Sequence, residues 1–345
     1  MAYTTIDDPS EFFTTTLYTG NGSDAHSITN SANSGNFKPD WLWTKNRTGT
    51  ARNHSIFDSN RGVQKYVYAN TNDSEATVSS SLQSFDTNGF TVGTSTQLNP
   101  DGNSMVAWQW KANGGTTSSN SDGDITATVQ ANTTAGFSIM TWTSNNADNQ
   151  TIGHGLGAAP EVFWVKIRDA TGSWYCYFKE AGATHYLSLN STGARVDNVI
   201  WGDTHPTSSV ITVDTNSLSG STPTVVSYAF KEVKGYSKFG SYTGNNSTNG
   251  TFVYTGFKPA WLMVKRTSDT ANWDITTAAI SQNQIDERLR ANLTNAEESS
   301  GYIDFLSNGF KMRNTNSSQN NGTYIYMAFA EHPFVSSKGV PVTAR

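Results

Sequence analysis

The chain has 345 residues, of which 15% are charged, and a net charge of −5. It has no basic run that could track phosphates, which argues against a nucleic-acid partner, and nothing approaches the roughly eighteen continuous apolar residues of a membrane-spanning helix. Only 35% of residues are apolar but 12% are aromatic, a ring content that disordered chains lack.

Residues 1–15 have no counterpart later in the chain. They begin with neither a basic start nor an apolar stretch, so they are not a signal peptide. They carry Tyr3, Ile6, Pro9, Phe12 and Phe13, too apolar a set for an idle tail. Tyr3, Ile6, Phe12 and Phe13 are therefore expected to form an arm whose rings are hidden either on its own module or by docking on a partner.

From Gly35 the sequence reads Gly-Asn-Phe-Lys-Pro-Asp-Trp-Leu-Trp-Thr-Lys, and this stretch returns at 256–265 and, more faintly, at 157–166. Each time a Lys (Lys45, Lys166, Lys265) sits six residues after the Pro (Pro39, Pro160, Pro259). Similar apolar runs end at Ala107-Trp108, Ala229-Phe230 and Ala328-Phe329. Their aromatic residues follow the Pro by 108−39=69, 230−160=70 and 329−259=70 residues. The chain is a triplicated module, the expected build of a binding or structural protein rather than of an enzyme with one active site. The boundaries follow: an arm over 1–15, modules over 16–113, 124–234 and 235–337, and a tail over 338–345. Residues 114–123, a Gly/Ser/Thr/Asn/Asp tract, read as a linker on which the first module pivots.

Within the modules the strands are short. Those after Pro39 and Pro259 suit a proline at the first strand position. Alternation places Trp41, Trp43 and Lys45 on one face and Leu42 and Thr44 on the other. Asn88-Gly89 and Asn308-Gly309 predict two-residue hairpin turns with positive φ at the glycines. One short helix is expected over 282–295. The fold class is all-β: three tandem β-sandwich modules of jelly-roll, lectin-like kind.

Ile6-Asp7-Asp8-Pro9-Ser10-Glu11-Phe12-Phe13, then Leu17-Tyr18-Thr19-Gly20-Asn21-Gly22, the Phe-x-Pro-x-Trp strand, and Ile56-Phe57-Asp58-Ser59-Asn60-Arg61-Gly62 resemble a domain family of virion proteins from marine bacteriophages and cyanophages. The ending over 324–334 is similar to theirs. The resemblance implies a concanavalin-like jelly roll and a virion location, as tail, fibre, decoration or adhesin protein. The implied partners are other virion proteins, sister subunits in a homo-oligomer and, as the alternative role, host-surface glycans bound by a carbohydrate-binding array. It transfers no catalytic residue.

The residues offer little chemistry. The six His are scattered, and none pairs with another at a metal-ligand spacing; His154, between two glycines, reads as a turn residue. A glycosidase needs two facing carboxylates. Asp58 and Asp274 are candidates only because they follow aromatic residues in comparable loops of different modules, and Asp58 is expected to pair with Arg61 in a loop. Asp122-Gly123-Asp124 lacks the remaining ligand spacing of a calcium loop. No catalytic residue, cofactor or metal is expected, and polysaccharide degradation is the last reading. The single cysteine, Cys176, reads as a buried small apolar residue. Trp142, Trp174, Trp201 and Trp273 lie outside the shared strands and are the candidates for stacking on sugar rings.

Overall fold

The computed structural model describes residues 2–30, 37–281 and 283–342. Gly35 and Asn36 of the first repeated motif, Gln282 of the expected helix and residues 343–345 of the tail lie outside them. The chain is all-β, its strands interrupted by single 3-10 turns such as Pro9–Glu11. The expected helix is instead the strand Ile285–Arg290. Residues Glu287 to Arg290 favour helix, but backbone ladders to Trp273–Thr277 on one side and Glu298–Leu306 on the other override that preference.

Each repeat builds the same four-strand order. In the first it is Phe13–Thr19, Ser104–Trp110, Trp41–Asn46 and Ser55–Asp58. In the second it is Phe137–Thr143, Thr224–Phe230, Val162–Ile167 and Tyr175–Phe178, and in the third Ser237–Thr243, Thr323–Pro333, Phe257–Arg266 and Trp273–Thr277. A smaller set of strands lies across from each. In the third repeat that set, Phe252–Tyr254, Gly309–Met312 and Glu298–Leu306, is joined to the main sheet through Ile285–Arg290. Between the two sets sits a private apolar cluster: Leu42, Phe57 and Phe90 in the first repeat, Phe163, Val165 and Ile211 in the second, Leu262, Val264 and Phe310 in the third.

The opposite faces of the three main sheets meet one another. Trp41, Trp43, Trp108 and Trp110 join Trp164, Tyr228 and Phe230 and also Trp261, Met263 and Phe329 in one shared cluster. Ring centroids lie 5.8 Å apart for Trp41 and Phe230, 5.7 Å for Trp110 and Trp261, and 6.2 Å for Phe230 and Phe329. Consequently Trp41–Asn46 and Val162–Ile167 are buried at every position, where a sheet with one wet face would expose every second residue.

Strand register corrects one equivalence. Trp41 faces Trp110, Val162 faces Phe230 and Trp261 faces Phe329. The counterpart of Phe230 and Phe329 is therefore Trp110, not Trp108. Both tryptophans point to the shared core, and a slip of two residues preserves the face, so alternation cannot distinguish them.

The hairpins differ from expectation too. Asp86 pairs with Gly89 and Leu306 with Gly309, so the loops are Thr87-Asn88 and Ser307-Asn308, and each glycine opens the return strand. Gly89 has φ +121°, but Gly309 is not among the positive-φ residues. What both positions require is space: a Cβ on Gly89 would collide with the Ile28 carbonyl, and one on Gly309 with the Val253 carbonyl.

The segments expected to be loose are tied down. In the 114–123 tract, Gly114 N–H donates to Asp40 Oδ2 and Gly115 N–H to Gln130 Oε1. Ser118–Asn120 forms a strand against Ala127–Asn132. With the shared core crossing it, this tract is no pivot. The arm does not reserve its rings for a partner either. Ile6 and Phe13 are buried in the shared core, and Phe12 packs edge-on against Tyr236. Tyr3 donates to the Gly256 carbonyl at 2.8 Å. The arm closes the first repeat onto the third, because burial on its own chain is already available to these side chains.

Candidate functional site

The strongest repeated signal, the lysine six residues after the proline, turns out to be architectural. Lys45, Lys166 and Lys265 are fully buried. Lys45 Nζ donates to the carbonyls of Arg52 and, in the third repeat, Thr294, both at 2.9 Å. Lys166 Nζ reaches Gly172 and, in the first repeat, Asn72, at 2.6 and 3.2 Å. Lys265 Nζ reaches Ala271 and, in the second repeat, Thr192, at 2.9 and 3.1 Å. First to third, second to first, third to second: the clamps form a closed cycle. Burial lowers each ammonium pKa to about 8.

Asparagines complete the device. Asn70, Asn190 and Asn292 accept the backbone N–H of His54, Trp174 and Trp273, at 2.8, 3.0 and 2.9 Å. Sequence reasoning missed them. Asn190-Ser191-Thr192 and Asn292-Leu293-Thr294 are Asn-x-Thr triplets, a pattern the composition made too common to weigh. Their recurrence at similar distances after the repeated proline (70−39=31, 190−160=30 and 292−259=33) was the usable signal. The cycle is imperfect at its rim. Arg168 pairs with Glu75 at 2.9 Å and Arg47 with Glu297 at 2.6 Å, but the third such position holds Thr267 opposite Arg195, joined only through the backbone.

The remaining candidates are also structural. Trp142, Trp174, Trp201 and Trp273 are all buried, so none can stack on a sugar. Trp174 Nε1 donates across the repeat boundary to the Tyr68 carbonyl and Trp273 Nε1 to that of Ser188. Trp142 and Trp201 fill the second repeat's private cluster, whereas Trp174 and Trp273 belong to the core shared between repeats. Asp58 pairs with Arg61 at 2.5 Å, and Arg61 continues to Glu75 at 3.0 Å, linking to Arg168. Asp274 meets Arg288 at 3.0 Å, and burial raises its pKa to about 6 against the pull of Arg288 and Arg290. His154 is buried, its Nδ1 accepting from Leu156 N–H. His54 accepts the Trp43 ring N–H at 3.0 Å, and burial, with the Lys45 charge nearby, pushes its pKa well down. Cys176 is buried and free. Among the described residues no group of His, Cys, Asp or Glu is arranged to hold a metal ion.

Clefts open on the surface among the described residues, two of them of similar size. One, of about 450 Å³, lies between the arm and the third repeat. Its acidic lining is engaged: Asp7 accepts from Ser337, Asp8 from Ser10, and Glu331 pairs with Lys258. The other, of about 470 Å³, is lined by Tyr3, Thr5, Thr133, Thr134, Lys231 and Lys234 among others.

Among the described residues the exposed large apolar side chains include Leu17, Val196, Val199, Val340 and Val342 at scattered places, but the three that are aromatic share one strand set. Phe252, Tyr254 and Tyr302 are 44%, 54% and 42% exposed, all on the smaller strand set of the third repeat. Phe252 faces Lys311 across the ladder and Lys311 faces Asp304; Tyr254 faces Gly309. Buried Val253 and Phe310 occupy the other side, so Phe252, Tyr254 and Lys311 look outward. The matching ladder in the first repeat pairs Ser27 with Thr91 and Thr29 with Gly89. Outward Ser27, Thr29 and Thr91 thus stand where the third repeat has Phe252, Tyr254 and Lys311. The fold does not need rings there, and only the third repeat has them.

Compared with known protein families, residues 8–333 match a domain of unknown function, DUF7483. The chain belongs to that family. No curated protein and no solved structure matches it. The family match spans the arm from Asp8, all three repeats and the closing strand to Pro333, so the family unit is the whole cycle rather than one repeat. Among the described residues no helix is long and apolar enough to cross a membrane.

Proposed function

We propose that this protein is a non-catalytic structural component of a phage particle, a rigid block of three jelly-roll-like sandwiches that presents one aromatic face to a host-surface glycan. The sandwich reading is supported by the private apolar cluster held between a larger and a smaller strand set in each repeat. The virion location and the partnership with other virion proteins and sister subunits rest on the sequence resemblance of 6–13, 17–22, 56–62 and 324–334. Binding rather than chemistry is supported by the engagement of Asp58, Asp274, His54 and His154 in structural contacts.

The observation that carries the contact role is the exposure of Phe252 and Tyr254 at positions occupied by Ser27 and Thr29 in the first repeat. Rings lying open on a sheet offer apolar faces to the C–H faces of sugars, and solvent-exposed rings that the fold does not require mark interaction sites. Antibody labelling of intact particles, imaged by electron microscopy, tests the location: label at a fixed place on each particle is expected, and unlabelled particles overturn it. A glycan array tests the contact: binding by the native protein that is lost in the Phe252→Ser/Tyr254→Thr double variant is expected.

A further inference from the structure

We infer that the glycan is an anionic polysaccharide, lying along a strip from Phe252 across Tyr254 and Tyr3 into the cleft that holds Lys231 and Lys234; this rests on the glycan reading above. The strip is continuous. Phe252 and Tyr254 are alternate residues of one strand, about 7 Å apart by strand rise. Tyr254 Oη lies 3.2 Å from Tyr3 Oη. Tyr3 lines the cleft of about 470 Å³, and Lys234 Nζ sits 4.4 Å from its ring centroid.

Three ammonium groups stand along the strip, together with the Glu232 carboxylate that also lines the cleft. Lys311 stands beside Phe252 at one end, and Lys231 and Lys234 stand at the other. None of the three forms an ion pair among the described residues. The neighbouring carboxylates are already matched: Asp304 pairs with Arg313 at 2.6 Å and Glu232 with Lys238 at 2.7 Å. On a chain of net charge −5, ammonium groups without a carboxylate partner beside exposed rings complement a ligand with acidic groups. The hydroxyls of Thr5, Thr133 and Thr134 in the cleft suit sugar hydroxyls.

Calorimetric titration of the full chain with a hexameric oligogalacturonate and with its fully methyl-esterified, neutral counterpart tests the inference. The acidic hexamer is expected to bind, more weakly as salt rises, and the neutral one to bind about tenfold or more less tightly. Phe252→Ser/Tyr254→Thr and, separately, Lys311→Thr introduce residues the first repeat already carries, so both variants should fold with unchanged melting temperature. The first should lose both ligands. The second should weaken the acidic hexamer alone. Equal affinity for the two hexamers, indifferent to Lys311→Thr, overturns the anionic assignment while leaving the glycan role standing. Binding of neither hexamer, with a strand-forming peptide captured by Phe252–Tyr254, overturns both.

Discussion

Lys45 of the first repeat donates from its buried Nζ to the carbonyl of Thr294 in the third, at 2.9 Å. The same bond recurs from Lys166 to Asn72 and from Lys265 to Thr192. Three equivalent cations thus tie the repeats into a ring, in which no repeat is terminal.

Replacing Lys45, Lys166 or Lys265 by Met keeps the stem and removes the donor. Each variant leaves two buried carbonyls short of a partner, and an unsatisfied buried acceptor costs about 1–3 kcal/mol. Equilibrium urea unfolding should show all three variants destabilised to similar extents. Arg should not rescue, because its planar fork does not replace a compact ammonium. An unchanged midpoint for Lys45→Met would show that the clamp contributes nothing.

Burial lowers each of these ammonium pKa values from 10.5 to about 8. Between those values the unfolded chain binds more protons than the folded one, so stability rises with pH. Below about pH 8 both states are protonated and this contribution is flat. Above pH 10 buried tyrosines such as Tyr18 and Tyr236, whose pKa values burial raises, oppose it. Unfolding midpoints should therefore increase from pH 8 to pH 10. A steady fall across that interval would contradict the burial of the three ammonium groups.

The shared cluster predicts one cooperative transition rather than three. Trp261→Ala removes a fully buried ring that touches Trp108, Trp110 and Phe329, and large-to-small changes of this kind cost about 3–5 kcal/mol. Calorimetry should show the single transition shifted as a whole. Three resolved transitions, with only one displaced, would mean that the repeats unfold independently.

Gly309→Ala tests the close approach of the Val253 carbonyl. The added methyl must displace backbone, and overpacking of this kind costs about 1–3 kcal/mol. Gly62, where a Cβ meets nothing within 4 Å but φ is +87°, provides the contrast: Gly62→Ala should cost only the smaller strain of φ. Equal losses at both sites would return the hairpin glycine to a conformational role.

Much of the fold was legible because repetition is a property of sequence. The proline strands, the closing strands and the face shared by Trp41, Trp43 and Lys45 could be read from spacing and alternation alone. Less of the site was legible. Trp142, Trp174, Trp201 and Trp273 looked free because they lie outside the motifs that recur in sequence, but Trp142 and Trp201 fill the second repeat's own cluster and Trp174 and Trp273 bond to a neighbouring repeat. Phe252 and Tyr254 drew no notice because alternation in a strand reports that one face is buried, not which.

The sequence by itself determined that the protein is all-β, that it is built three times over, and that its lysines and prolines are in register, since these follow from local patterns and their recurrence. Only the tertiary structure decided that the three repeats close into a ring. It set Trp110 rather than Trp108 opposite Trp41, made 114–123 a strand-bearing seam, turned the arm's Ile6 and Phe13 inward, and left Phe252 and Tyr254 outside. Each of those depends on contacts between residues far apart in the chain, where alternation allows two answers and only packing selects one.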